Sequence, residues 1–445
     1  MRSTDWLRLC VVLSLLAGVQ SQSAGQPPVV NNRTLNCFLP IEVVGEPVPI
    51  YLNYNSYSGE RTAFGQKWRS GLFPQVLERA VFVTVMESDG FQNSYVREAD
   101  RDRPEQEVFV EAIIEGLRAA DRSTGGERTA TTYEQERSRL LRDQTARSSA
   151  IEAVLGGAKV PPGRYISVAR GESALNKDID GTFRRLVRDG TTEMFDSLGQ
   201  PVQSSDGKGN SFRLEWRDGL IRRLRSTSTP DAALVQFQYN DEGLMTEIAA
   251  GASAPQRITY NPSGMIATIM ASDGTSHEFA YDPIGNLTRY KRSTGASSDE
   301  WILSYNKKYE VEQVKHRDFT TKYARSSRAD SQESTTTIEL LERDSLKSRV
   351  TKRYDSRALL STAVEFKDAK QGDFTLRLSF RQPGNVLDRV GVDGVGEMRV
   401  PYRQDGSIDQ EAMSKLPSFD TVADRWNIVF GESNPLSRAP IPLME

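Results

Sequence analysis

The chain is poor in the residues that enzymes and metal proteins most often use for chemistry. Its 445 residues include two cysteines and two histidines, and Cys10 lies in a segment that we expect to be removed. The remaining Cys37 cannot form an intramolecular disulfide, and one thiol with two scattered imidazoles does not supply a zinc site. We therefore expect no metal, and we interpret Cys37 as a quiet, half-buried thiol. An intermolecular bridge through it is the alternative.

Excess charge, long apolar runs and catalytic motifs are also missing. The 57 basic and 60 acidic side chains leave a net charge of −3, which predicts no nucleic-acid partner. No internal run is long enough for a membrane-spanning helix. The P-loop, the dinucleotide fingerprint and the G-x-S-x-G motif are absent. The sequence "ARGESAL" around Ser173 resembles the G-x-S-x-G motif only weakly. The sequence predicts no cofactor and no catalytic residue, although its many carboxylates leave a glycosidase pair open.

The first residues have the pattern of an export signal. Arg2 and Arg8 precede an apolar stretch from Leu9 to Val19, and small residues follow it. This order is typical of a secretory signal peptide, so we expect residues 1–23 to be removed and the mature protein to be periplasmic or secreted. The alternative is a buried first helix.

An aromatic residue followed by a polar turn recurs along the second half of the chain. Examples are "YNDEGLM", "YNPSGMI" and "YDPIGNL", and the spacing is about 20 to 25 residues, the range in which one supersecondary unit is stacked. The aromatic positions are Phe195, Trp216, Tyr239, Tyr260, Tyr281, Tyr305, Tyr354, Phe380 and Tyr402, and the clearest turn glycines are Gly199, Gly219, Gly243, Gly264 and Gly285.

Each unit has the pattern of a β-hairpin. Residues alternate before the aromatic, as in "HEFAY", and the Asp or Asn that follows favours a turn that the glycine closes with a positive φ. The repeat carboxylates (Asp241, Asp282 and Asp355) are therefore interpreted as turn residues. An aliphatic residue restarts the alternation and is predicted to pair with the aromatic across the ladder. These aliphatic residues are Leu220, Leu244, Met265 and Leu287.

The Tyr-Asp and glycine turns at this period resemble the YD repeats of the Rhs family. The segment "LPIEVVGEPVPIYLNYNSYSGERTAFGQKW", with Tyr54, Gly65 and Trp68, resembles the N-terminal element of that family. The resemblance implies a mainly β fold in which hairpins wind into a curved or spiral antiparallel sheet, a partial shell. With about ten units and a short Pro-rich end, the chain resembles a short form without a C-terminal toxin domain.

Residues 101–158 interrupt the β pattern. Val108, Phe109, Ile113 and Leu117 have helical spacing, and a second charged helix is predicted from a possible capping box at Thr131. We expect two helices, over about 104–120 and 131–156, that cover a sheet edge or form a docking arm. The predicted organisation is a signal peptide (1–23), an N-terminal β region (24–100), the helical insertion (101–158), the repeat sheet (159–412) and a C-terminal tail (413–445).

The sequence favours a binding protein over an enzyme. Our interpretation is an exported bacterial YD-repeat protein that acts as a non-catalytic scaffold in the cell envelope or outside the cell and binds a protein or polysaccharide. One alternative is a carbohydrate-binding surface in which exposed repeat aromatics stack on sugar rings. Another is a partial cocoon around a separately encoded polypeptide. The sequence identifies no ligand-binding residue.

Overall fold

The computed structural model describes residues 27–430, and the expected signal peptide and the last residues of the chain lie outside the described part. Short internal segments are also outside it: 46–49, 60, 71–73, 80, 88–90, 127, 168–172, 188–189, 207–209, 229–232, 328–332, 356–357, 368–371, 382–385, 404–408 and 418.

The first strands form a small sheet of their own. Its strand order is β1-β2-β3-β6, while β4 and β5 make a separate two-stranded pair. The alternation of apolar and polar residues in "CFLPIEVV" gives the longest of these strands one buried face. The bounds are β1 Val29–Val30, β2 Cys37–Val44, β3 Ile50–Asn55, β4 Arg61–Thr62, β5 Gly65–Gln66 and β6 Trp68–Ser70.

The remaining strands form one antiparallel sheet of 25 strands, which confirms the predicted mainly β fold of wound hairpins. Each strand pairs with its neighbours in sequence, and the ladders of the described residues include none between the first and last strands. The first strands are β7 Gln75–Arg79, β8 Phe82–Met86, β9 Gln92–Arg97, β10 Gly163–Ser167, β11 Ser173–Lys177, β12 Phe183–Leu186, β13 Thr192–Phe195 and β14 Pro201–Ser205.

The strands from Ser211 onward complete the sheet. These strands are β15 Ser211–Arg217, β16 Leu220–Ser226, β17 Ala233–Tyr239, β18 Met245–Ala250, β19 Gln256–Tyr260, β20 Ile266–Met270, β21 Ser276–Tyr281, β22 Leu287–Thr294, β23 Ser297–Tyr305, β24 Val311–His316, β25 Phe319–Ser327, β26 Glu333–Glu342, β27 Ser345–Asp355, β28 Ala358–Phe366, β29 Phe374–Arg381, β30 Val386–Val392 and β31 Gly396–Arg399.

The helical insertion lies between two strands that are neighbours in the sheet, β9 and β10. It contains three helices: α1 Glu105–Thr124, α2 Ala130–Arg142 and α3 Gln144–Leu155. The predicted second helix is divided at Asp143, because the side chain of Asp143 accepts a hydrogen bond from the backbone of Ala146 and caps a new helix. The aliphatic residues of the three helices pack mainly on one another.

Two further helices follow the sheet, over residues that we expected to form the end of the repeat sheet and the C-terminal tail. They are α4 Gln410–Ser414 and α5 Phe419–Phe430. Met413 and Val422 are buried in one core cluster with residues of β26 to β31. The C-terminal helices therefore cover the face of the last strands.

The first strands of the large sheet curl around a core of their own. Val83, Tyr95, Tyr165 and Phe183 are buried there together. The backbone amide of Val76 in the first strand, β7, donates to the carbonyl of Gly199, in the turn between β13 and β14, at 3.0 Å. This contact joins β7 to a turn six strands further along the sheet, so the start of the sheet curves back on itself.

Candidate functional site

The predicted aromatic positions mark a repeated irregularity in the ladders. At Tyr239, Tyr260 and Tyr281 the register shifts by one residue, and the aromatic then pairs with the second residue after the turn glycine. The partners are Met245, Ile266 and Leu287. Of the four predicted aliphatic partners, Leu287 is correct. Leu220, Leu244 and Met265 each lie one position before the residue that pairs with the aromatic, because the bulge adds a residue that alternation alone does not reveal. The register also shifts at Phe195, Trp216, Tyr305, Tyr354 and Phe380.

The hydroxyl groups of the repeat tyrosines join neighbouring hairpins. The hydroxyl of Tyr260 donates to the carbonyl of Met245 at 2.6 Å, and that of Tyr281 to the carbonyl of Ile266 at 2.8 Å. In both pairs the acceptor is the residue that follows the glycine of the previous turn by two. The same bond is made by Tyr239 to Ile221, Tyr305 to Leu287, Tyr402 to Leu387 and, through its indole nitrogen, Trp216 to Pro201. From Trp216 to Tyr305 these contacts link each hairpin to the one before it and form a continuous seam.

The turns themselves explain the preference for Asp or Asn. The Oδ1 atom of Asp282 accepts hydrogen bonds from the backbone amides of Ile284 and Asn286, which is an Asx turn. In the repeat of Tyr239 this position is Asn240, which accepts from Glu242 and Leu244. We predicted the turn residue of this repeat at Asp241, but the side chain that makes the Asx turn is Asn240, one position earlier. The five predicted turn glycines all have positive φ: Gly199, Gly219, Gly243, Gly264 and Gly285.

The N-terminal sheet lies along the row of turns and completes their hydrogen bonding. The backbone amide of Met245 donates to the carbonyl of Ala63 at 2.7 Å, and that of Val311 to the carbonyl of Leu35 at 2.8 Å. The amide of Leu287 donates to the hydroxyl of Tyr54 at 2.8 Å. Unpaired buried amides are costly, so these contacts fix the small sheet on the seam.

Cys37 is buried within this junction. Its side chain is fully covered by the main core, and burial raises the pKa of the Cys37 thiol to about 12. A protonated, covered thiol is a poor nucleophile. The side chain packs as a small apolar group, more deeply than the half-buried position expected.

A row of aromatic rings crosses four adjacent strands next to the seam. Phe279, Tyr290, Trp301 and His316 lie opposite one another on β21 to β24, with successive centroids 5.5, 5.1 and 4.6 Å apart. The other histidine, His277, stacks on Tyr290 and its Nδ1 atom lies 2.9 Å from the Tyr290 hydroxyl. Burial, with a smaller contribution from nearby positive charge, lowers the pKa of His277 to about 4. Both imidazole rings thus stack on aromatic neighbours, and the Nε2 atom of His316 also lies 3.3 Å from Asp299.

A polar cluster lies inside the curl of the first strands. The guanidinium of Arg185 binds the carboxylates of Glu87 and Glu193, the latter at 3.0 Å, and its Nε donates to the Tyr95 hydroxyl at 2.7 Å. Burial alone would lower the pKa of Arg185, but the two carboxylates outweigh it and raise the pKa. Ser173, the weak nucleophile candidate, lies 2.8 Å from the same Tyr95 hydroxyl. Neither histidine is among its hydrogen-bond partners in the described structure, so no triad is assembled.

Other chemical sites are not evident in the part of the chain that the structure describes. Its His, Cys, Asp and Glu side chains form no group of three or more that could hold a metal ion. None of its helices combines the length and apolar character needed to cross a membrane. The most extensive built feature is therefore the seam with its N-terminal cover.

Comparison with known proteins finds similarity only among solved structures. No protein-family model matches the chain, and no curated protein sequence matches it significantly. A crystal structure of TcdB2-TccC3-Cdc42 aligns with 91% of this chain and 27% of its own, at 10% identity and a TM-score of 0.26. TcdB2-TccC3 aligns over 86% and 23%, at 10% identity and a TM-score of 0.23. The Tc holotoxin pore of Photorhabdus luminescens aligns over 87% and 24%, with the same identity and TM-score.

The chain spans about a quarter of the length of these structures. Sequence reasoning found the seam aromatics and their turns, but it missed the bond from each tyrosine hydroxyl to the preceding hairpin. The choice of Tyr over Phe at most repeats was the available signal, since only Tyr carries the hydroxyl.

Proposed function

We propose that this chain is a short Rhs-type YD-repeat protein that works as an exported, non-catalytic binding scaffold in the bacterial envelope or outside the cell. The observation that carries the proposal is the seam. Six repeat side chains, five tyrosines and one tryptophan, donate a hydrogen bond to the previous hairpin, as in the bond from Tyr260 to Met245. Residues engaged in this way supply architecture, and the broad sheet that results offers a surface for a macromolecule.

The seam also favours a protein partner over a sugar. Carbohydrate-binding platforms present open aromatic faces, whereas the seam tyrosines are half-buried against the main core. The large aromatic side chains exposed in the described structure are Tyr57 and Tyr309, at 48% and 55%. Neither of them occupies a seam position. A carbohydrate-binding surface is therefore the weaker alternative.

The cocoon alternative differs in what fills the sheet. Two stretches of one face are covered by segments of this chain: the N-terminal sheet lies against strands from β15 to β24, and the C-terminal helices lie against β26 to β31. Cover by the chain itself supports a self-contained scaffold more than a container for a separate polypeptide.

The test is affinity capture with the purified mature protein as bait and an envelope extract of the source bacterium as prey. The same bait, denatured and immobilised, controls for non-specific adsorption. We expect specific capture of an envelope protein, and no hydrolysis of peptidoglycan, polysaccharide or ester substrates by the bait alone. Turnover that a single carboxylate or serine substitution abolishes would contradict the proposal, and a polypeptide co-purifying inside the sheet would favour the cocoon.

A further inference from the structure

Three buried polar side chains lie side by side on β26, β27 and β28 and form a polar rung across the sheet. Lys352 lies directly opposite Thr336 on one side and Thr362 on the other. All three are buried, with relative exposures of 6%, 0% and 2%. The neighbouring rung, two residues along each strand, is Ile338, Val350 and Val364, which belong to the apolar core. The polar rung therefore lies beside that core.

Lys352 differs from the other buried lysines of the described structure in having no partner. The ammonium of Lys177 binds Glu78 at 2.6 Å, and that of Lys67 binds the carbonyl of Ser56 at 2.6 Å and the amide oxygen of Asn286. No hydrogen bond or ion pair joins the Lys352 ammonium to any described residue. Burial lowers the pKa of the Lys352 ammonium to about 8. Beside it, the Thr336 hydroxyl is buried without a hydrogen-bond partner among the described residues.

An ammonium without a protein partner on a largely buried side chain, and a buried hydroxyl without a hydrogen-bond partner on the adjacent strand, are both costly unless water or a ligand satisfies them. An ammonium has three donors and no acceptor, and a threonine hydroxyl adds a donor on each side. The group that this arrangement complements is an oxygen acceptor with negative charge. We propose that Lys352, Thr336 and Thr362 form a binding site for a carboxylate.

The charge of the rung favours a carboxylate over phosphate. Lys352 contributes a single positive charge, since the next residue along the rung, Arg325 opposite Thr336, is already paired with Glu310 at 3.6 Å. One uncompensated cation matches a monoanion better than a dianion. The carboxylate belongs either to a small free acid or to an acidic side chain of a bound polypeptide, and both offer the same two oxygens. The site does not depend on the proposed scaffold function.

The test is thermal unfolding of the full chain at pH 7 as acetate replaces chloride at constant ionic strength. With acetate tenfold above its dissociation constant, we expect the midpoint to rise by about 1–2 °C. Lys352→Met should abolish the rise, because methionine keeps the volume and removes the charge. Lys322→Met, at an exposed position on β25, is the matched control and should leave the rise unchanged.

Thr336→Val keeps Lys352 and removes one donor, so it should weaken the apparent acetate affinity several-fold even if Lys352→Met fails to fold. A short Glu-containing peptide and inorganic phosphate are titrated in the same way. A larger rise of the midpoint with the peptide than with acetate indicates a polypeptide ligand, and a larger rise with acetate indicates a small acid. No response of the wild-type protein to acetate, an equal response in Lys352→Met, or a larger response to phosphate would overturn the proposal.

Discussion

At the scale of single residues, the seam depends on one hydroxyl in each repeat. Tyr260 lies half-buried, donates to the carbonyl of Met245 at 2.6 Å, and has its pKa raised by burial. The ring supplies apolar contact with the core, while the hydroxyl satisfies a carbonyl of the previous hairpin. Separate substitutions can therefore separate the two contributions.

Tyr260→Phe is expected to lower the free energy of unfolding by about 1 kcal/mol, since it removes one hydrogen bond and keeps the ring. Tyr260→Ala also removes the packing and should cost about 3 kcal/mol or more. Urea denaturation measures both. Tyr309→Phe is the matched control, because Tyr309 is 55% exposed and should change nothing measurable. Equal, negligible effects at both positions would show that the seam hydroxyls do not stabilise the sheet.

His277 gives the protein an acid-sensitive contribution to stability. Its pKa is about 4 in the folded chain, below the ordinary value of 6.5, mainly because the imidazole is buried. Between pH 6.5 and 4 the unfolded chain binds a proton at this site that the folded chain does not. The contribution is therefore fully present above about pH 6.5 and is lost as the pH falls, by about 3 kcal/mol in total.

His277→Asn should flatten the decline in unfolding free energy between pH 6.5 and 4, measured by urea denaturation at several pH values. Asparagine preserves a polar group near the Tyr290 hydroxyl but does not titrate in this range. His316→Asn is the comparison, because Asp299 opposes the effect of burial on the pKa of His316. Identical pH profiles for wild type and His277→Asn would refute the assignment.

At the scale of elements, the repeat hairpins could be predicted because their determinants are local. The turn at Asp282 needs only its own side chain, two backbone amides and a glycine within four residues. The membership of β7 to β9 in the large sheet could not be predicted in this way. Their partners, such as Tyr165 opposite Arg97, are separated by the helical insertion, and a strand pattern does not encode its distant neighbour.

The break between α2 and α3 shows the same limit on a smaller scale. Asp143 is compatible with the charged face of a continuous helix, and only the observed bond to Ala146 reveals that it caps a new one. The seam acceptors were missed because they belong to the adjacent hairpin. The sequence identified residues of the candidate site, but their contacts emerge from stacking.

The curl of the first strands depends on one close backbone approach. A Cβ atom at Gly199 would lie 2.0 Å from the carbonyl oxygen of Val76, and Gly199 has a φ of +77°. Gly199→Ala should therefore destabilise more than Gly274→Ala, where φ is +84° and the added Cβ has open space. The control should cost about 1–2 kcal/mol from backbone strain alone.

Faster hydrogen exchange at the Val76 amide in Gly199→Ala is the local measurement, since that amide donates to the Gly199 carbonyl. An equal loss of stability in both variants, with unchanged exchange at Val76, would mean that the contact does not close the curl.

At the scale of the whole molecule, we expect the helical insertion to be a separable unit. It leaves the sheet after β9 and returns at β10, which pair directly with each other. Its apolar residues pack mainly among its three helices, with Val81 and Phe82 as contacts from the sheet. By contrast, Val160 must stay, because it is buried in the core of the first strands and its carbonyl accepts from Lys177.

Replacing residues 103–157 by a short Gly-Ser turn should therefore leave the sheet folded. We expect unchanged β-sheet circular dichroism, loss of the helical signal, and a cooperative unfolding transition close to that of the intact chain. Removal of residues 27–70 is the contrasting variant. It leaves the amides of Met245, Leu287 and Val311 without their acceptors and exposes the main core, so this variant should aggregate or unfold.

The same purified proteins serve as baits for envelope capture. Partner capture that disappears with the helices while the sheet survives would identify the insertion as the docking element, and unfolding of the sheet on excision would refute its independence.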